Sequence, residues 1–231
     1  MTPSVMNTGW ARYFVTRKEV VRTTWIFKAA LIVALVLGVY LTKPLWAPAV
    51  AESLVCEHTE HLERADAVLI DFFDTDYALF GYARQLQEAG FGSRAIVPAS
   101  LGPAGSISTV SEAVIDALAR LAQVRNLTMV PASNVEPISL NTASHFRQFA
   151  KENGIGSVIV VTPAFRSKRS MMIYEAVLNP AGVSTQCVPV FGRSVHDWTH
   201  TWHGIQDVAL QFAKHQYYRW YVLPFWSKRT A

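Results

Sequence analysis

The sequence has little of several features that most readily betray a function. It holds two cysteines, Cys56 and Cys187, among 231 residues. They form no C-x-x-C pair, which excludes a dithiol redox centre of that type. The turn after the first apolar, strand-like run contains no G-x-G-x-x-G. Without glycines that let a pyrophosphate approach the backbone, no dinucleotide cofactor is expected, and the sequence identifies no other cofactor. There is no H-E-x-x-H, no internal repeat and no low-complexity tract. An excess of one charge is also missing from most of the chain. The overall balance is +4 with a pI near 9.1, but residues 1–43 hold six Lys/Arg against Glu19, and the remainder is one charge negative. A nucleic-acid ligand needs cations on the folded face that meets phosphate, so no nucleic acid is expected as a partner.

One long apolar run is present. Ala29–Leu41 is uninterrupted and, extended back through Trp25-Ile26-Phe27, approaches the roughly 20 residues that cross a bilayer. Trp25, Tyr40 and Trp46 stand where interfacial aromatics belong, and Lys28 can snorkel. Five cations precede the run and Lys43 follows it, which places residues 1–23 in the cytoplasm as a basic segment. Residues 24–46 then read as a single-pass signal anchor in the inner (cytoplasmic) membrane, with the lipid bilayer as a partner. The rival reading is a signal peptide cleaved at Ala49-Val50-Ala51. Both export the rest of the chain to the periplasm or cell exterior. An exported location permits a Cys56–Cys187 disulfide; two buried thiols fit the sequence as well.

Half of the residues are apolar (51%), enough to bury a core. Residues 47–64 lack periodicity and read as a linker. From Ala65 a regular alternation begins, and the domain runs over 65–223. Short apolar runs at 65–73, 94–99, 127–132, 157–163 and 183–190 predict five strands. Helical spacing occupies 76–90, 108–123, 141–154, 167–182 and about 203–223, leaving 224–231 as a tail. Strands without clean alternation are covered on both faces. Short connections between them predict an α/β fold: a mainly parallel sheet of about five strands with flanking helices.

In such a sheet, ligands bind at the carboxyl ends of the strands, so the turns there hold the candidate residues. The first turn reads DFFDTD. Asp71, Asp74 and Asp76 suit a divalent cation or acid/base work, or they cap the next helix. After the third strand, EPISLNT offers Asn141 or Thr142 as a helix cap, while Glu136 and Ser139 have no such local role. After the fourth strand, Thr162 is followed by Arg166, Lys168 and Arg169 in the first turn of a helix. Cations there oppose the helix dipole, which an anion held at the helix start would offset. A solvated basic rim is the alternative. Finally, His196, His200 and His203 recur at i, i+4, i+7; on one helix they share a face and suit a metal ion, or they line a loop.

The order of elements resembles that of the YdcF/SanA/ElyC-like family, bacterial envelope-facing domains that are often membrane-anchored. The resemblance covers about residues 65–223 and rests on S-x-N-T at Ser139–Thr142, on Val161-Thr162 with Arg169 following, on Ser111-Glu112 and on Glu136. It implies a Rossmann-like fold and a role in peptidoglycan or polysaccharide biogenesis, with polyprenyl-phosphate carriers among the implied ligands. The chain departs from the family pattern in the first turn, in PASLG after the second strand, at Tyr77, at Arg166 in place of a His, and at Gln211 in place of a Glu. The combined expectation is an anion-binding envelope domain. Arg166 and Arg169 hold the anion, Asp71, Ser139, Asn141, Thr142 and Thr162 complete the site, and Glu136 serves as general base if hydrolysis occurs. The alternative is a non-catalytic scaffold that meets envelope protein partners.

Overall fold

Side chains alternate across a β-strand, so a strand covered on both faces feeds two cores at once. The computed structural model, which describes residues 24–57, 62–71, 76–102, 105–192 and 197–230 (227–230 as backbone only), shows that pattern. Five strands, β1 (Ala67–Ile70), β2 (Arg94–Ser100), β3 (Leu127–Ala132), β4 (Ser157–Pro163) and β5 (Ser184–Val190), form one parallel sheet in the order β3-β2-β1-β4-β5. Val68, Ile70, Ile159 and Val161 pack into one core with the helices Tyr77–Glu88 (α3) and Thr109–Ala122 (α4). Ala67, Leu69, Val158 and Val160 point the other way, into a core with Ile138–Glu152 (α5) and Ala164–Leu178 (α6). The chain is thus an α/β protein with helices on both faces of its sheet, as the apolar runs predict.

The chain divides into two units, 1–44 and 45–231. In the first, α1 (Trp25–Leu41) is capped by Thr24 and has no buried residue. The single helix expected over 24–46 is corrected to two: α1 stops at Thr42, whose Oγ1 donates to the Gly38 carbonyl at 2.7 Å, and α2 (Lys43–Glu52) follows. Pro44 explains the break, because it has no N–H to continue the ladder onto Tyr40. No single helix among the described residues is long and apolar enough to cross a membrane. The two meet that test only together, as a bent pair.

The second unit begins earlier than expected. Residues 47–64, expected as a linker, open on α2, whose Ala47 and Ala51 are buried with Leu54 against Phe165, Trp198 and Val208. These two alanines, one turn apart, present a small-residue face, and the Trp198 indole donates to the Ala47 carbonyl at 3.1 Å. The segment is then fastened to α6. The Lys168 amide donates to the Leu54 carbonyl (2.9 Å), and the Cys56 amide donates to Ser167 Oγ (2.8 Å). Cys56 and Cys187 form a disulfide that joins this segment to β5 across 131 residues. Beyond β5 come a short turn, Trp198–His200, and α7 (Trp202–Tyr217). A wider π-type turn, Tyr218–Val222, leads into α8 (Leu223–Thr230).

Candidate functional site

The strand order reverses between β1 and β4, because the chain leaves β1 toward β2 and β3 and then returns to β4 on the other side. The carboxyl ends of these two strands frame the crevice in which open α/β sheets hold ligands. Asp71 follows β1 there, and its amide donates to the Val161 carbonyl at 2.9 Å. By strand parity, Asp71 and Thr162 both face α6. On α6, Arg166, Ser170 and Tyr174 recur at i, i+4, i+8 and so form one stripe.

The five side chains meet. Asp71 Oδ2 accepts from Thr162 Oγ1 (3.0 Å) and Ser170 Oγ (2.5 Å), while Oδ1 accepts from the Tyr174 hydroxyl (3.2 Å) and Arg166 Nη2 (3.5 Å). Arg166 Nε lies 3.4 Å from Oδ2, and the pair is buried, with 5% and 1% of the side chains exposed. Burial and the Asp71 charge push the Tyr174 hydroxyl well above its ordinary pKa, so it remains a donor. Both oxygens of Asp71 are thus engaged by side chains of β4 and α6. Asp71, Thr162 and Arg166, expected as ligand-binding residues, meet in one buried network, and Arg166 also reaches the wall of a neighbouring cavity. Arg166 is offset by Asp71, which is why a cation is tolerated in the first turn of α6.

The remaining candidates lie elsewhere. Arg169 is buried with its guanidinium 5.7 Å from the centroid of the Tyr218 ring, whose hydroxyl meets Ser139. Lys168 is half-exposed and pairs with Glu57 at 3.7 Å. Glu136 does have a local role, contrary to expectation: it accepts from the Ile138 amide (3.3 Å) at the start of α5. Asn141 and Thr142 do not cap that helix, which begins at Ile138. Asn141 Nδ2 donates to the Val135 carbonyl (2.9 Å), and Thr142 Oγ1 accepts from the Ser133 amide (3.2 Å). Glu136, Asn141 and Thr142 therefore brace the β3–α5 turn, while Ser139 meets Tyr218. The shared helical face expected for the histidines is broken by extended Thr201, which separates His200 from His203. His200 instead lies 3.5 Å from Asp197, and Asp74 and His196 lie outside the described residues. Among the described residues, no three His, Cys, Asp or Glu side chains are grouped to hold a metal ion.

A cavity of about 370 Å3 does open at the carboxyl edge of the sheet, and Asp207 on its wall is a residue that spacing did not single out. Arg166, Asp76, His203, Gly204, Asp207 and Gln211 line it. Asp76 caps α3, accepting from the Ala78 amide at 2.9 Å. His203, Asp207 and Gln211 recur at i, i+4, i+8 on α7, a polar series that was visible in the sequence. Gln211 is 8% exposed; its Nε2 donates to Asp207 Oδ1 (3.3 Å), and its Oε1 is buried with no hydrogen-bond partner. Buried amide oxygens are nearly always paired, so an unpaired one on a residue of the cavity wall stands out. Gly204 is required locally, because a Cβ there would run into the Trp198 carbonyl. With Arg166 offset by Asp71, the wall presents two carboxylates, an imidazole and an amide. That donor set suits hydroxyl groups better than a bare anion. Compared with models of known families, with curated proteins and with solved structures, the chain finds no match in any of the three.

Proposed function

We propose that this chain is a membrane-tethered, envelope-facing Rossmann-like domain that binds a phosphorylated, lipid-linked saccharide in cell-envelope biogenesis. The saccharide sits in the carboxyl-edge cavity. The observation that carries this reading is the buried, unpartnered Gln211 Oε1 beside Asp207 and Asp76, since carboxylate and amide oxygens are the natural acceptors for sugar hydroxyls. The tether is the apolar stretch carried by α1, which has no buried residue and meets the length and apolarity of a bilayer span only together with α2, as a bent pair. The disulfide favours an oxidising, exported location for the domain. The likeness to the YdcF-like family supports the envelope assignment. Binding is the activity proposed, because Asp71 is engaged by Thr162, Ser170, Tyr174 and Arg166, and Glu136 accepts from the Ile138 amide.

The test is calorimetric titration of the purified full chain with N-acetylglucosamine 1-phosphate, with N-acetylglucosamine and with a short-chain prenyl phosphate. Sugar-dependent heat that disappears in Gln211→Ala and Asp207→Ala supports the assignment. Equal heat from those variants, or none with any sugar, removes it. A second reading, a non-catalytic scaffold for envelope protein partners, draws on one observation: Tyr217, Tyr221 and Phe225 form an exposed ladder, with ring centroids 5.4 and 5.1 Å apart, beside exposed Trp220.

A further inference from the structure

A second cavity, of about 610 Å3, is reached one turn further along α7 from Gln211. It lies beside the middle of the edge strand β5 rather than its carboxyl end. The Cys56–Cys187 disulfide, Lys168, His215 and Arg219 line it. His215 is 6% exposed, and its Nδ1 is buried with no hydrogen-bond partner. The charges that act on the ring are all of one sign. Burial first, and then Arg219, Lys168 and Arg169, hold its pKa below the ordinary value. Arg219 is itself stacked on Trp220, with its guanidinium 5.1 Å from the ring centroid.

Two carboxylates, Glu57 and Glu175, also line the cavity. The Glu57 side chain is 97% exposed and reaches Lys168 only at 3.7 Å, a solvent-screened contact that a competing anion displaces readily. Burial raises the pKa of Glu175 against the pull of Lys168, so it accepts a proton more easily than a surface glutamate. Cations gathered around a buried imidazole repel one another, and here they come from two elements, Lys168 from α6 and Arg219 from the turn after α7. An oxyanion reverses that balance. Lysine supplies a compact charge, arginine a planar fork, and the imidazole becomes a third donor once protonated.

We propose that this cavity is a phosphate site, in which Lys168, Arg219 and protonated His215 hold a phosphate monoester group. The inference deepens the preceding proposal by giving the phosphate a place separate from the sugar cavity, and it rests on that proposal only for the identity of the ligand. Phosphate carried by a soluble molecule and phosphate carried by a lipid headgroup offer the same chemistry.

The experiment uses the full chain in detergent micelles, titrated with inorganic phosphate and with dihexanoyl phosphatidic acid; dihexanoyl phosphatidylcholine is the control. The His215 ring is followed by NMR, assigned with His215→Gln. Saturable binding with an upward move of the His215 pKa is expected. Affinity should fall about tenfold or more in Lys168→Ala/Arg219→Ala, whose circular dichroism reports an intact fold. Tighter binding of phosphatidic acid identifies a lipid source, and tighter binding of inorganic phosphate a soluble one; either supports the site. An unmoved His215, no binding at millimolar phosphate, or undiminished binding by the double variant overturns it. Gln211→Ala should keep phosphate binding, so failure at the sugar cavity is told apart from failure here.

Discussion

Replacing Asp71 by Asn tests whether the polar cluster between β1, β4 and α6 holds the domain together. The substitution keeps the volume and removes the charge. Arg166, with only 5% of its side chain exposed, then loses the Asp71 carboxylate 3.4 Å away. Breaking a buried ion pair from one side costs about 3–5 kcal/mol. The amide makes matters worse, because one of its ends presents N–H groups to the hydroxyls of Thr162 and Ser170, which already donate there. A domain of this size has a stability of about 5–15 kcal/mol, so the expected loss is a large fraction of the whole. In thermal terms it is roughly 6–20 °C. Urea denaturation of the purified chain, followed by tryptophan fluorescence and far-ultraviolet circular dichroism together, measures it. Arg166→Met in the same chain removes the cation itself, so the double variant should be more stable than the sum of the two single losses by at least about 1 kcal/mol. A loss below about 1 kcal/mol for Asp71→Asn, or strict additivity in the double variant, would refute the account of Arg166 as an internal counter-ion.

Further outcomes follow from the same contacts. Replacing Cys187 by Ser removes a cross-link spanning 131 residues, worth about 5 kcal/mol by chain entropy; the shift in urea midpoint against the oxidised protein measures it. Gly204→Ala forces a Cβ into the Trp198 carbonyl, so a loss of about 1–3 kcal/mol and of sugar binding is expected together, read by melting and calorimetry. His215 has a folded pKa below its unfolded value. The unfolded chain therefore takes up the proton first as pH falls below about 6.5, and stability declines until the folded pKa is reached. His215→Gln should flatten that part of a stability–pH curve. Tyr174 runs the other way. Its contribution is complete below about pH 10 and is lost as pH rises toward its raised folded pKa, so Tyr174→Phe should reduce alkaline sensitivity in the same measurement.

Much of the fold was legible from residue order, because strand and helix periodicities are local. The runs 127–132 and 157–163 coincide with β3 and β4, and the limits of β2 and β5 differ by one residue. Helix starts were less legible: α5 begins at Ile138 rather than Asn141, and α6 at Ala164 rather than Ser167, since the residue before each, Pro137 and Pro163, has no capping side chain to mark it. The site was legible only in part. Asp71 and Thr162 were named as residues at strand ends. Their partners Ser170 and Tyr174 lie 99 and 103 positions from Asp71, and nothing local to either residue announces the pairing. The polar series His203-Asp207-Gln211 was readable as a helical stripe, but which way it faces depends on how α7 packs.

Sequence alone determined the alternation of strands and helices, the two-sided burial of the sheet and the separation of the basic, apolar N-terminal segment, because each depends on spacing and composition along the chain. The tertiary structure decided what the charges do. It sends Arg166 to Asp71, stacks Arg169 on Tyr218 and leaves Lys168 beside His215 and Arg219, three fates for three cations within four residues. A helix turns each successive side chain by about 100°, so neighbours in sequence face different elements, and only the packing of those elements says which charge is matched and which is left for a ligand.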